Sequence, residues 1–209
     1  MKYLIIFGLF IGLVNYSVGQ TVLADNETFQ ETFTTAELED LQLLFDFFNS
    51  SMCSQQNSDD LNACYTEFFN RMEKTIESKN FELDIPIDQQ KEVYQAFRDS
   101  TFYRIWSFGE TQEYNFHDSI PLQGVFKTVF FAHGDKYMEF LRRTADDYEI
   151  IAFYYDSILA EGGLIGPGLF ASVLIDHDKY NLEDIRLRFI VAIHYLTLND
   201  QYNRAEKKK

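Results

Sequence analysis

Apolar residues recur along much of this chain at spacings of three and four. The first clear stripe is Leu38, Leu41, Phe45, Phe48 and Met52, widened by Leu44 and Phe47. That period belongs to an α-helix with one buried face. Thr34 and Glu37 just ahead of it form a capping box, in which each side chain satisfies a backbone N–H of the other residue. Phe33 and Leu38 flank the box as a hydrophobic staple. The pattern predicts a helix from Thr34 to about Cys53. After a polar linker, Ser58 or Asp59 can cap a second helix with the stripe Leu61, Tyr65, Phe68, Met72 and Ile76. The short connection predicts an antiparallel pair. Past Pro86, Asp88 can cap a third helix to about Arg98, turning Val93, Tyr94 and Phe97 inward.

The period then changes. Phe102, Arg104, Trp106 and Phe108 alternate with Tyr103, Ile105 and Ser107, and Tyr114 and Phe116 follow Gly109-Glu110. Two such runs about a Gly-x pair can form a small β-hairpin near 102–116. Tyr103 and Trp106, three apart, support a continued helix equally well. Helix resumes in pieces from Leu122, with Val125 to Phe131 a short apolar segment. A long helix from about Asp135 to Glu161 carries Tyr137, Phe140, Leu141, Tyr148, Ile151, Tyr155, Ile158 and Leu159. Gly162, Gly163, Gly166 and Gly168 break it, and Pro167 suits a new helix start before Phe170 to Ile175. Asn181 caps a last helix with Ile185, Phe189, Ala192, Ile193 and Leu196 inward. The fold expected is all-α: one globular domain of six or seven helices, with the hairpin as the one β element.

Composition sharpens this picture in two ways. At 209 residues, 46% hydrophobic and 17% aromatic, the chain is too apolar for disorder and sized for one core. With only 10 Gly and 3 Pro, it has too few turns for an all-β fold. The boundaries read as a signal peptide over 1–19, a loose leader over 20–33, a helical domain over 34–198, and a polar tail over 199–209 ending in Lys207-Lys208-Lys209.

The signal peptide reading rests on Met1-Lys2, the apolar run Leu4 to Val14, and the small-x-small site Ser17-Val18-Gly19. The run is too short to cross a bilayer, so no transmembrane segment is expected. The localisation implied is secreted or periplasmic. Export gives the two cysteines a role. Cys53 and Cys64 fall at the end of one helix and the start of the next, where a disulfide would staple the helical pair.

Lys+Arg total 18 against 33 Asp+Glu, a formal net charge of −15. Nucleic acid is excluded as a partner, because phosphate binding needs clustered cations. A basic protein or a carbohydrate-bearing partner fits the charge better. Catalytic patterns are absent: no H-E-x-x-H, no G-x-S-x-G and no phosphate-binding P-loop. No cofactor is expected. His133-Gly134-Asp135 and Asp176-His177-Asp178 place carboxylates beside imidazoles and could supply metal ligands if they met in space; Asp135 equally suits a helix cap. His194, inside an apolar stretch, reads as a hydrogen-bonded core histidine. Asn26 and Asn49 begin glycan-acceptor triplets, which matter only in a eukaryotic host. The stretch around the lone Trp is rich in residue types that dominate binding surfaces. Arg104, Trp106, Phe108, Tyr114 and Phe116 are therefore the candidate partner-binding residues, with core packing as their other use. The expected function is an exported non-catalytic binding protein, with an inhibitor or immunity-type role in this class. The alternatives are an exported hydrolase built on the Asp/His clusters, and a helical carrier of an apolar ligand.

Overall fold

The computed structural model describes residues 22–54, 60–77, 83–114 and 121–206; the signal peptide reading lies outside them. Nine helices and one two-stranded antiparallel sheet make up the described residues. The mostly helical domain with one small hairpin is as the periodicity implies. No helix among these residues is long and apolar enough to cross a membrane.

The organising element is the last helix, α9 (Ile185–Glu206). Every residue from Leu187 to Asp200 is buried, so this helix is enclosed on all sides. A helix that is apolar around its whole circumference can only be an interior column. Its polar residues are placed where partners reach them. Gln90 and Asn199 join at 2.8 Å, Gln90 also donates to the Leu196 carbonyl at 2.8 Å, and Asn199 donates to the Ile85 carbonyl. The polar tail expected over 199–209 is thus corrected through Glu206: Asn199 and Asp200 are buried core groups, and Asp200 is paired with Arg204. Burying them is tolerable because each is hydrogen-bonded. Asp184 begins the helix, its side chain accepting from the Arg186 N–H at 2.8 Å, while Asn181 caps the turn before it.

The other helices pack around this column. The predicted capping box starts α2 (Thr35–Cys53): Thr34 N donates to Glu37 Oε2 at 2.8 Å, and Glu37 N to Thr34 Oγ1 at 3.3 Å. Its stripe is buried, as are Tyr65, Phe68 and Met72 on α3 (Leu61–Glu77). Cys53 and Cys64 form the expected disulfide, with Cα atoms 5.2 Å apart across a separation of 11 residues. Closing so short a loop removes unfolded-state entropy worth roughly 2–3 kcal/mol. Reduction, or the double change Cys53→Ala/Cys64→Ala, is expected to lower unfolding free energy by about that amount in urea titrations. An unchanged midpoint would mean that the bridge is energetically idle.

The loose leader over 20–33 is also corrected for its described part. A 3-10 turn, Leu23–Asp25, leads into α1 (Glu27–Thr32), which Asn26 caps by accepting from the Thr28 N–H. Leu23 and Phe29 are fully buried. Six residues are too few to show a helical period, yet Phe29 packs 4.6 Å from Phe140 and 5.1 Å from Phe189 by ring centroid.

The long helix expected from Asp135 to Glu161 is two, α6 (Lys136–Ala145) and α7 (Glu149–Ala160). The apolar period runs through the break and hides it. Tyr148 is extended there, its hydroxyl donating to Asp184 at 2.9 Å and its ring lying 5.4 Å from Arg186. Asp135 caps α6 as expected. The glycine break after α7 is real. Gly163 has φ +88°, and a Cβ there would sit 2.7 Å from the Phe131 carbonyl oxygen, so this turn requires glycine. Pro167 opens α8 (Pro167–Ile175).

Between α4 (Ile87–Ala96) with the short α5 (Asp99–Phe102) and α6 lies the hairpin, β1 (Trp106–Tyr114) and β2 (Pro121–Phe131). It is larger than expected and turns elsewhere. The segment Val125 to Phe131, read as a returning helix, is the second strand. Gly109 lies mid-strand opposite Thr128, not in a turn. A Cβ on it would stand 2.6 Å from the Phe130 ring, so the glycine makes room for a cross-strand aromatic.

Candidate interaction surface

The hairpin register decides what each candidate residue can do. Trp106 lies opposite Phe131, Phe108 opposite Val129, and Glu110 opposite Lys127. Residues two apart share a face, so Trp106 and Phe108 point to the same side, the side on which β2 meets α9. At the first pair this face is inside the protein. Trp106 is fully buried, and its Nε1 donates to Thr197 Oγ1 at 2.8 Å. That hydroxyl in turn donates to the Ile193 carbonyl at 2.6 Å. Trp106 as a partner-binding residue is therefore corrected: it is the bolt that holds the strand to the central helix.

Two positions further on, the same face emerges. Phe108 is 39% exposed. Its ring stacks on Phe102 at 5.4 Å and 21°. Lys127 Nζ lies 4.8 Å and Arg204 Cζ 5.2 Å from its centroid, within cation–π range. Phe102 also meets Tyr103 edge-on at 5.5 Å, and Tyr103 is 52% exposed. Tyr103, Phe102 and Phe108 thus form one continuous aromatic row from α5 to β1, with two cations at its β1 end. Arg204 is held by Asp200, which fixes its position over the ring.

Arg104 is partly exposed but occupied. Its Nε donates to Glu37 Oε1 at 3.0 Å, and a terminal nitrogen reaches Asp135 at 3.3 Å. Lys136 Nζ donates to the other Glu37 oxygen at 2.6 Å. Burial by itself would push the Glu37 carboxyl up, but hydrogen bonds from Lys136, Thr34 and Arg104 outweigh it and hold the group down at about 2. This knot ties the starts of α2 and α6 to the turn before β1. Arg104 is thereby a tie between elements, not a free binding group. Tyr114 pairs with Pro121 at the far end of the ladder, and Phe116 lies outside the described residues.

Tyr103, Lys127 and Arg204 were not among the sequence candidates. Tyr103 was visible as part of the alternating run. Nothing local marked Lys127 or Arg204, because one comes from the partner strand and the other from a segment that reads as tail.

The two Asp/His segments are used separately. Asp135 caps α6, while His177 Nδ1 donates to the Leu174 carbonyl at 2.7 Å and its ring stacks on Phe69 at 4.6 Å. Among the described residues no group of three metal-ligating side chains comes together. His194 is a core histidine, as its surroundings in sequence imply: it is fully buried and bonded to the Tyr154 hydroxyl at 3.2 Å. Compared with known proteins, the chain matches no family, no curated protein and no solved structure.

Proposed function

We propose that this chain is an exported, non-catalytic binding protein that engages a glycan partner through the aromatic row at the foot of its hairpin. One observation carries the reading: Tyr103, at the end of α5, and Phe108, on the strand anchored by buried Trp106, both stay exposed while each packs against Phe102. Rigid aromatic side chains supply contact area at small entropic cost. Their faces suit the flat C–H faces of sugar rings. Lys127 and Arg204 beside Phe108 add N–H donors for sugar hydroxyls or carboxylates. Export is supported by the three-part leader and by a disulfide of the kind that persists in oxidising compartments. The net charge of −15 favours a second reading, a basic protein partner steered by long-range attraction.

A glycan array probed with the full chain at low and moderate salt tests this. Retention on specific saccharides at both salt concentrations, reduced at least tenfold in Tyr103→Ala/Phe108→Ala, is the expected result. A double variant that binds like the parent would discard the aromatic row as the contact surface. Saccharide binding nowhere on the array, with salt-sensitive capture of a basic protein, would favour the charge-steered reading.

A further inference from the structure

Three Asn-x-Ser/Thr triplets occur in the chain: Asn15-Tyr16-Ser17, Asn26-Glu27-Thr28 and Asn49-Ser50-Ser51. This pattern is the acceptor for N-linked oligosaccharides in exported eukaryotic proteins, and it serves at the surface, because the sugar is bulky and hydrated. Asn15 falls inside the segment read as the leader. The structure separates the other two.

Asn26 stands just ahead of α1 with extended backbone, φ −103° and ψ 131°. Its Oδ1 accepts from the Thr28 N–H at 3.1 Å. Among the described residues no group bonds to its Nδ2, the atom that takes the sugar. Asp25 and Glu27 are exposed, so space opens on both sides. Thr28, whose hydroxyl completes the acceptor, lies in the first turn of a helix of only six residues. So short a helix is unstable by itself, and the triplet can be presented to a transferase without unwinding a stable element. Asn49 is the opposite case. It lies within the 19 residues of α2, next to fully buried Phe48. Its Oδ1 accepts from the hydroxyl of fully buried Tyr65 on α3 at 3.1 Å, which turns the amide toward the neighbouring helix. The Ser51 hydroxyl is spent on the Phe47 carbonyl at 2.9 Å. A sugar on Asn49 would compete with the packing of α2 on α3.

We infer that Asn26, and not Asn49, carries an N-linked oligosaccharide attached during export. The inference rests on the export reading above and concerns a covalent modification, separate from the glycan partner of the hairpin surface. In the transfer, the bond from sugar C1 to a phosphate oxygen of a lipid-diphosphate oligosaccharide breaks and a bond from C1 to Asn26 Nδ2 forms. The lipid diphosphate leaves, and the amide gives up one proton to base. The product amide keeps its Oδ1, so the cap on the Thr28 N–H survives attachment.

Expression of the full chain, leader included, in a eukaryotic secretory cell line tests this. The secreted protein is cut to peptides before and after treatment with a peptide N-glycosidase, which leaves aspartate where a sugar was, so mass spectrometry reads occupancy position by position. The expected result is sugar on Asn26 and none on Asn49. That sugar is retained in Thr28→Ser and Asn49→Gln and lost in Thr28→Ala, which leaves the backbone cap in place. Asn26→Gln should lose it as well; if the missing cap prevents folding, the Thr28 pair gives the answer. Secreted protein with its leader cleaved and Asn26 bare overturns the inference and leaves export standing. Sugar on Asn49, or sugar that persists in Thr28→Ala, overturns it too. A chain kept in the cytosol with its leader intact overturns the export reading itself, and this inference with it.

Discussion

Replacing Phe189 with alanine is expected to cost about 3–5 kcal/mol, the range for deleting a buried aromatic ring. Phe189 is fully buried on the central helix. Its ring lies 5.1 Å from Phe29 of α1, 6.2 Å from Phe45 of α2, 5.6 Å from Phe140 and 6.5 Å from Tyr137 of α6. One side chain therefore joins three outer helices to the column. The neighbours are themselves rigid rings on separate helices, so collapse into the space would need several elements to move together. Residual cavity volume adds to the lost transfer free energy. Against a total stability of roughly 5–15 kcal/mol for a domain, the loss is a large fraction of the whole. Urea titration should show a lower midpoint with an unchanged slope. A cost below about 1 kcal/mol would mean that Phe189 is not the hub its contacts describe.

Acid should destabilise this protein well before its carboxylates protonate, through His194. Burial pushes the imidazole down to about 3 from the ordinary 6.5. Above pH 6.5 both folded and unfolded chains carry a neutral His194, and the group has no effect. As pH falls below 6.5 the unfolded chain takes up a proton that the folded chain refuses, so stability is lost with each step down until about pH 3. At about 1.4 kcal/mol per pH unit, the full loss is on the order of 5 kcal/mol. Glu37 acts in a lower window. Its folded value of about 2 lies below the ordinary 4.5, so its contribution is complete above 4.5 and disappears as pH falls through 2. Between pH 6.5 and 4.5 the loss attributed to His194 should vanish in His194→Gln, which cannot titrate but can still meet Tyr154. Parallel stability–pH curves for parent and variant across that interval would show that His194 is not the acid-sensitive group.

Much of the local structure is legible from residues close in sequence. Thr34 and Glu37 mark a helix start because the hydrogen bonds involved span three residues. Asp135 caps α6 through its immediate neighbour. Cys53 and Cys64 are brought together by two helices that the stripes of Leu38 to Met52 and Leu61 to Met72 already define. The disulfide and the mostly helical class follow from such short-range terms. The aromatic stretch near Trp106 was also visible as unusual, but the use of each side chain was not. Trp106 and Phe108 are two residues apart on one face of one strand. The first is a core anchor hydrogen-bonded to Thr197 of the central helix, and the second keeps an exposed ring that packs on Phe102 beside Lys127 and Arg204.

What the sequence determined by itself was therefore whatever depends on a single turn, a single stripe or a single covalent pair. The tertiary structure alone decided the rest. Val125 to Phe131 became a strand because its hydrogen bonds go to β1, and an apolar run of that length has no period to betray a distant partner. Leu23 and Phe29 joined the core because Phe140 and Phe189 are there to receive them. Asn199 and Asp200 read as tail, yet they are interior groups, since Gln90, Ile85 and Arg204 supply the bonds that make their burial tolerable. In each case the free energy resides in a contact between residues far apart in the chain, which no local pattern records.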